Sequence, residues 1–364
     1  MKREFVLTKF SKNSMAYLAL LSMTVALTAC GGGGGSSPAP VPTPPAPVPT
    51  PAPTPSVAAS GTLVTSVAAA SYAASAPQAD AYAALNDVRS HAGAGLLAQN
   101  ASLDTSAQAH ADYLTTNLTT VGLTHTEDSA MPGFYAATFD ARETKAGYSY
   151  GTGTEVIGGC APGSGFTYGL LATVYHGAAL LSTNIDIGYG VGTDAGGAPL
   201  CVADLGTKAG VGYLVYGQVP AAGALVAYPY AGQTNVQETF YVSYESPRVD
   251  VSILPAATAG TPVFISMLNA DYLNLGSNVR PTVTSFTMVD AANNPIPVKL
   301  LAPSSITAGP GVSLNADSKL ADGLVVLVPV SPLARNATYT VTFSGTLSAS
   351  TAALTKTWSF TTNP

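Results

Sequence analysis

Apolar residues recur at helical spacing from about Ala79: Ala81, Ala84, Leu85 and Val88 share one face, with Asp80 near the start. Leu103, Ala107, His110 and Leu114 repeat the spacing, and Asp104 is placed to cap that second helix. A Gly-rich loop, His91-Ala92-Gly93-Ala94-Gly95, separates the two. Beyond Asn117 the periodicity fades into loop until residues 166–181 resume as one apolar helix. Residues 185–191 and 200–204 read as strands, with weaker strands at 212–219 and 225–227.

From about Val249 the period changes to two and stays there. Residues 283–288 alternate and precede a turn at Ala292-Asn293-Asn294-Pro295, and residues 324–328 form an apolar run before Pro332. Tyr339, Val341 and Phe343 alternate with threonines, as do Trp358 and Phe360 in the last strand. Short strands with turn signals at this spacing predict a β-sandwich over 249–364. Pro332-Leu333-Ala334-Arg335-Asn336, Tyr339-Thr340-Val341 and Trp358-Ser359-Phe360-Thr361-Thr362 resemble the closing hairpin of bacterial Ig-like domains. That resemblance implies a spacer or adhesive module.

The amino-terminal pattern is of another kind. Lys2, Arg3, Lys9 and Lys12 give a basic start, and residues 16–27 an apolar run too short to span a bilayer. The run ends Leu27-Thr28-Ala29-Cys30, which resembles a bacterial lipobox. Residues 1–30 are therefore expected to be a lipoprotein signal peptide, with Cys30 acylated as a lasting membrane anchor. Gly31 after it implies, by resemblance to Gram-negative lipoproteins, the outer membrane, facing the periplasm or the cell surface. Residues 31–75 read as a Gly/Pro-rich stalk. Its 38–55 stretch holds ten prolines, and polyproline II at about 3.1 Å per residue makes it a semi-rigid spacer of roughly 55 Å.

Length and charge narrow the function classes. At 364 residues the chain has room for two or three domains, and with 9% charged residues and a net charge of −6 it offers no basic surface for nucleic acid. With Cys30 lipidated, Cys160 and Cys201 are an even pair in an oxidising compartment and read as a disulfide, worth about 4 kcal/mol on loop-entropy grounds. All four histidines lie between His91 and His176, so the titratable chemistry is concentrated in one segment.

That segment carries ordered pieces: Leu85-Asn86-Asp87-Val88-Arg89, then Leu103-Asp104-Thr105-Ser106-Ala107-Gln108-Ala109-His110-Ala111, then Thr124-His125-Thr126-Glu127. Arg142, Ala146-Gly147-Tyr148, Thr154-Glu155-Val156-Ile157, Tyr175-His176 and Ile187-Gly188-Tyr189-Gly190-Val191-Gly192 follow. In this order they resemble the CAP superfamily of cysteine-rich secretory, antigen 5 and pathogenesis-related proteins. The resemblance covers about residues 79–206 and implies an α+β fold: a three-layer α-β-α sandwich with an open cleft, spanning 76–248 with its extension, ahead of the all-β Ig-like sandwich. The extension, Tyr228-Pro229-Tyr230 to Glu245-Ser246-Pro247, resembles one seen after many bacterial CAP domains. Its aromatics either cover a domain edge, the simpler reading, or face a glycan.

By the same resemblance His125, Glu155 and His176 are the cleft residues. Val156 replaces the family's usual asparagine after the glutamate, and residues 166–175 contain no acid where a second glutamate is expected. Two imidazoles and a carboxylate can hold zinc or another divalent cation with a position open to water, or serve without metal as general acid and base. His110, on an apolar stripe, and Glu127 are the candidates for a supporting layer; their plainer readings are a packed histidine and a surface charge. Arg142 and Glu143 read as a surface or loop ion pair worth under about 1 kcal/mol. Gly188 to Gly192 lacks the G-x-G-x-x-G spacing and a following helix, which excludes a dinucleotide site.

Three functions remain in view. The first is a tethered binding module using the His/Glu cleft for a small hydrophobic ligand, a glycan, a protein partner or a divalent ion. The second is a hydrolase acting on envelope or secreted material, and the third a structural or adhesive surface protein.

Overall fold

The first helix, α1 (Pro77–Ala92), begins on a proline, whose missing N–H costs nothing at that position. It buries Ala81, Tyr82, Leu85 and Val88, and it stops at Gly93, which takes the left-handed conformation (φ 82°). The computed structural model that shows this describes residues 63–160, 165–211, 216–273, 275, 280–348 and 353–364. The signal segment, Cys30, the Pro-rich spacer and the first half of the weak strand at 212–219 lie outside those residues.

After β1 (Ala98–Gln99), α2 (Ala101–Val121) buries Leu103, Ala107, His110 and Leu114. Its cap is Asn100, whose side chain accepts the Ser102 N–H at 3.0 Å. The expected cap, Asp104, does other work. It accepts from the Tyr72 hydroxyl (2.5 Å), Gln99 Nε2 (2.7 Å) and the Tyr189 N–H (2.9 Å), tying the helix to its neighbours.

The stretch read as loop after Asn117 holds two further elements, α3 (Phe139–Lys145) and β2 (Tyr150–Gly159). The single helix expected over 166–181 is a pair, α4 (Gly165–Leu171) and α5 (Val174–Leu180), parted at Ala172 and Thr173. β3 (Asp186–Thr193) and β4 (Pro199–Lys208) complete a sheet ordered β1-β3-β4-β2, which leaves β2 at an edge. Helices cover both faces of this sheet. On one side α2 packs against Ile157, Leu200 and Val202. On the other, α1, α4 and α5 share a core with Val156, Ile187, Cys201, Ala203 and Leu205. Cys160 and Cys201 form the expected disulfide, with Cα atoms 5.4 Å apart, joining the end of β2 to β4.

The glycine run on β3 has a packing reason. A Cβ at Gly188 would lie 2.1 Å from Asp104 N, and one at Gly190 2.2 Å from the Ala107 carbonyl carbon. Alternate glycines therefore let α2 lie directly on the strand.

Strands dominate the rest of the chain: β5 (Val226–Tyr228), β6 (Thr239–Phe240), β7 (Ala259–Gly260) and β8 (Val263–Ser266), then the short helix α6 (Ala270–Leu273). β9 (Thr282–Asp290), β10 (Val298–Ala302), β11 (Thr307–Ala308), β12 (Leu314–Ala316), β13 (Leu324–Pro329), β14 (Thr338–Thr346) and β15 (Leu354–Thr361) follow. They make a five-stranded sheet, β12-β10-β13-β8-β5, and a four-stranded sheet, β11-β9-β14-β15, with β6 and β7 as a separate pair. Val325 and Leu327 of the first sheet share a core with Phe286, Val341, Phe343, Trp358 and Phe360 of the second. Residues 226–228, ahead of the period change at Val249, are an edge strand here, paired with β8.

The apolar run 324–328 is continuous because β13 is buried on both faces. Leu324, Val326 and Val328 turn away from the β core and join the core built on α1, α4 and α5. These helices thus lie between two sheets, and a Cβ on Gly177 of α5 would come within 2.6 Å of the Phe264 ring. The fold is mixed α and β with several sheets. No helix among the described residues is long and apolar enough to cross a membrane.

Candidate functional site

A cavity of about 690 Å³ runs beside β2, and His125, Glu155 and His176 all line it. They come from three places: His125 from the loop after α2, Glu155 from β2, His176 from α5. Phe139, Tyr175, Tyr216 and Pro247 give the groove apolar walls, while Lys319, Ala321 and Asp322, from the turn before β13, close one end.

Glu155 is the hub. Its Oε1 lies 2.7 Å from His125 Nδ1, and its Oε2 accepts from Arg142 Nη2 at 2.6 Å. Burial pushes its carboxyl up, but the His125 hydrogen bond and the charges of His110 and Arg142 outweigh this and hold it below the ordinary glutamate value. The Glu155 side chain is wholly buried while His125 remains 41% exposed, so the pair puts an oriented imidazole at the groove surface. Behind it, His110 is fully buried, with Nδ1 2.9 Å from Glu127 Oε1 and Nε2 2.8 Å from the Thr124 carbonyl. Glu127 is not a surface charge. Its Oε2 accepts the backbone N–H groups of Tyr135 (2.6 Å) and Ala136 (3.2 Å), fixing the loop that carries His125.

The Arg142–Glu143 surface pair is not formed. Both residues are buried, and Arg142 serves Glu155. Glu143 and Asp204 lie in the same polar layer; neither Glu143 oxygen has a hydrogen-bond partner among the described residues, and the Ser106 hydroxyl lies beside Asp204. Burial, with the Glu155 and Asp140 charges, pushes Glu143 up to about 8. Burial and the charges of Glu155 and Glu143 raise Asp204 well above the usual carboxylate range. At neutral pH Glu143 is held as a carboxylic acid.

His176 is set apart from the His125–Glu155 pair. Its Nδ1 lies 3.1 Å from the Thr173 hydroxyl and 3.5 Å from Glu245 Oε1, which also accepts the Tyr175 N–H at 2.5 Å. Glu245 thus holds the start of α5 and supplies an acid beside His176 from far along the chain. The Tyr175 hydroxyl donates to Asp317 at 2.6 Å, and Lys319 Nζ sits 5.2 Å from the Tyr175 ring centroid. The β half of the molecule therefore builds part of the groove wall.

A divalent ion does not fit this donor set. Glu155 spends one oxygen on Arg142 and the other on His125. No group of three or more His, Cys, Asp or Glu is arranged to hold a metal among the described residues.

No protein-family model matches the chain, and no curated protein does. Among solved structures, an outer surface protein from Borrelia burgdorferi is similar at 18% identity and a TM-score of 0.32, over 38% of this chain and 96% of that one. A DUF4426 family protein from Pseudomonas aeruginosa is similar at 17% identity and a TM-score of 0.23, over 40% of this chain and 94% of that one. The groove's chemistry stands on its own residues.

Arg142, Glu143, Asp204 and Glu245 escaped the sequence reading of the site. The burial of an acid carries no local signature, even where, as at Glu143, a basic residue is its neighbour in sequence. One cue was present: Asp204 closes an otherwise apolar strand pattern, Leu200-Cys201-Val202-Ala203, where a surface charge is out of place.

Proposed function

We propose that the chain is a CAP-like, lipid-anchored envelope protein whose groove binds a small ligand with an apolar body and a hydrogen-bonding end. The observation that carries this is the single cavity onto which His125, Glu155 and His176 converge from three separate elements. Its volume of about 690 Å³ falls in the usual range of ligand sites, which pair apolar walls with a few placed polar groups. His125, fixed through Nδ1, is the polar contact at one end; His176, backed by Thr173 and Glu245, is the second. Helices on both faces of the β1–β4 sheet and the two facing β sheets support the CAP-like and Ig-like readings of the two halves. A thermal-shift screen of small amphipathic compounds, repeated on His125→Ala and His176→Ala, tests the binding reading. Hits should lose about tenfold or more in affinity in both variants; hits indifferent to both would sink it.

The lipobox supports attachment through Cys30, with the 38–55 spacer holding the folded part away from an outer membrane. Cys30→Ser should move the protein from the membrane to the soluble fraction, and an unchanged distribution removes the anchor from the account. One observation favours a second reading, hydrolysis without metal. A histidine oriented by a buried carboxylate at 2.7 Å is the arrangement of a general base. Turnover of any ester, peptide or glycan that vanishes in Glu155→Gln would establish it.

A further inference from the structure

Side chains of a strand point alternately to its two faces, so a cavity on one face of a sheet touches every second residue. This groove touches five in succession, Thr152, Gly153, Thr154, Glu155 and Val156. It therefore follows the outer edge of β2. Glu155 turns to the α2 side and Val156 to the α5 side, so His125 and His176 stand on opposite flanks of that edge. β2 is the last strand of its sheet, no strand pairs with its outer edge among the described residues, and residues 151–154 are at least partly open to solvent. Apart from the Gly153 N–H, which meets the Tyr150 hydroxyl, the N–H and C=O groups along such an edge are a template for one more strand.

Charge adds a second requirement. Of the groups lining the groove, Glu155 is matched by Arg142 at 2.6 Å and Lys319 by Asp317 at 3.9 Å. Asp322 is exposed, its Oδ1 accepts from the Ser305 hydroxyl at 2.6 Å, and no basic side chain pairs with it among the described residues. The uncompensated charge at the groove's end is negative.

Building on the binding reading above, we propose that the groove takes an extended polypeptide segment, paired with the free edge of β2 across residues 152–156 and carrying a lysine or arginine toward Asp322. Main-chain hydrogen bonds to the strand hold it, the flanking imidazoles of His125 and His176 contact alternate side chains, and Asp322 selects for a basic residue. The β half of the molecule, which supplies Asp322 and Lys319, thereby sets specificity.

The test is fluorescence anisotropy on the whole chain with a short labelled peptide alternating valine and lysine, alongside its valine-glutamate counterpart. Two further copies of the basic peptide carry N-methyl groups on the odd or on the even amides. The basic peptide should bind, and one methylated copy should lose about tenfold or more while the other keeps its affinity, because only alternate amides face a partner strand. Asp322→Lys should shift the preference to the glutamate peptide. Equal binding of both methylated copies, or an unchanged charge preference in Asp322→Lys, overturns the proposal. If small compounds bind through His125 and His176 while no peptide does, the peptide assignment falls and the binding groove stands. If neither binds, both fall.

Discussion

Arg142 lies fully buried, 2.6 Å from Glu155 Oε2 and 3.7 Å from Glu127 Oε1, so one cation serves two carboxylates behind His125. Glu143, next to it in sequence, turns elsewhere, because neighbours on a helix do not face each other. That separation leaves Glu143 buried without a partner and pushed up to about 8, from an ordinary value of 4.5. The folded protein then holds a proton that the unfolded chain releases. Its contribution to stability is full below about pH 4.5 and is lost as pH rises through about 8. Denaturant unfolding at pH 5 and pH 8 should show the wild type losing stability with pH, and Glu143→Gln losing distinctly less. Identical slopes would mean that Glu143 is solvated or paired in solution. None of this was legible in the sequence, where an Arg-Glu dipeptide reads as a surface pair. That His125, Glu155 and His176 line one cavity was expected through the family resemblance, not through their spacing.

At the scale of elements, helices α1 and α2 and strands β3, β4, β14 and β15 followed from the pattern of apolar positions, and β13 from its unbroken apolar run. β2, the strand that positions Glu155, did not. Its sequence, Tyr-Gly-Thr-Gly-Thr-Glu-Val-Ile-Gly-Gly, holds too few apolar residues to alternate, since an edge strand beside a groove buries only part of its length. The break between α4 and α5 was also hidden, as Ala172 and Thr173 keep the apolar pattern running. The glycines of β3 were visible as a motif, but their reason lies in α2, a different part of the chain. Gly190→Ala would place a Cβ 2.2 Å from helix backbone, which cannot yield as a side chain can. A cost of about 2–3 kcal/mol in thermal or chemical unfolding is expected. Gly159→Ala, with nothing within 4 Å, should cost far less, and equal costs would contradict the packing account.

At the scale of the whole molecule, the helical and β halves are not beads on a string. Leu324, Val326 and Val328 of β13 and Phe264 of β8 belong to the same core as α1, α4 and α5. Lys319, Ala321 and Asp322 then reach the groove beside His176. A change of period marks where strands begin, not where a core ends, so the boundary read at Val249 hid this continuity. The consequence is geometric: both halves line the one groove. The most direct measurement follows the imidazole resonances of the four histidines by NMR while a compound from the thermal-shift screen is added. His125 and His176 should shift together with one affinity, while His91, stacked on Tyr230 in a separate exposed position, stays still. Movement of His91 alone, or of His125 and His176 with unrelated affinities, would contradict a single binding groove.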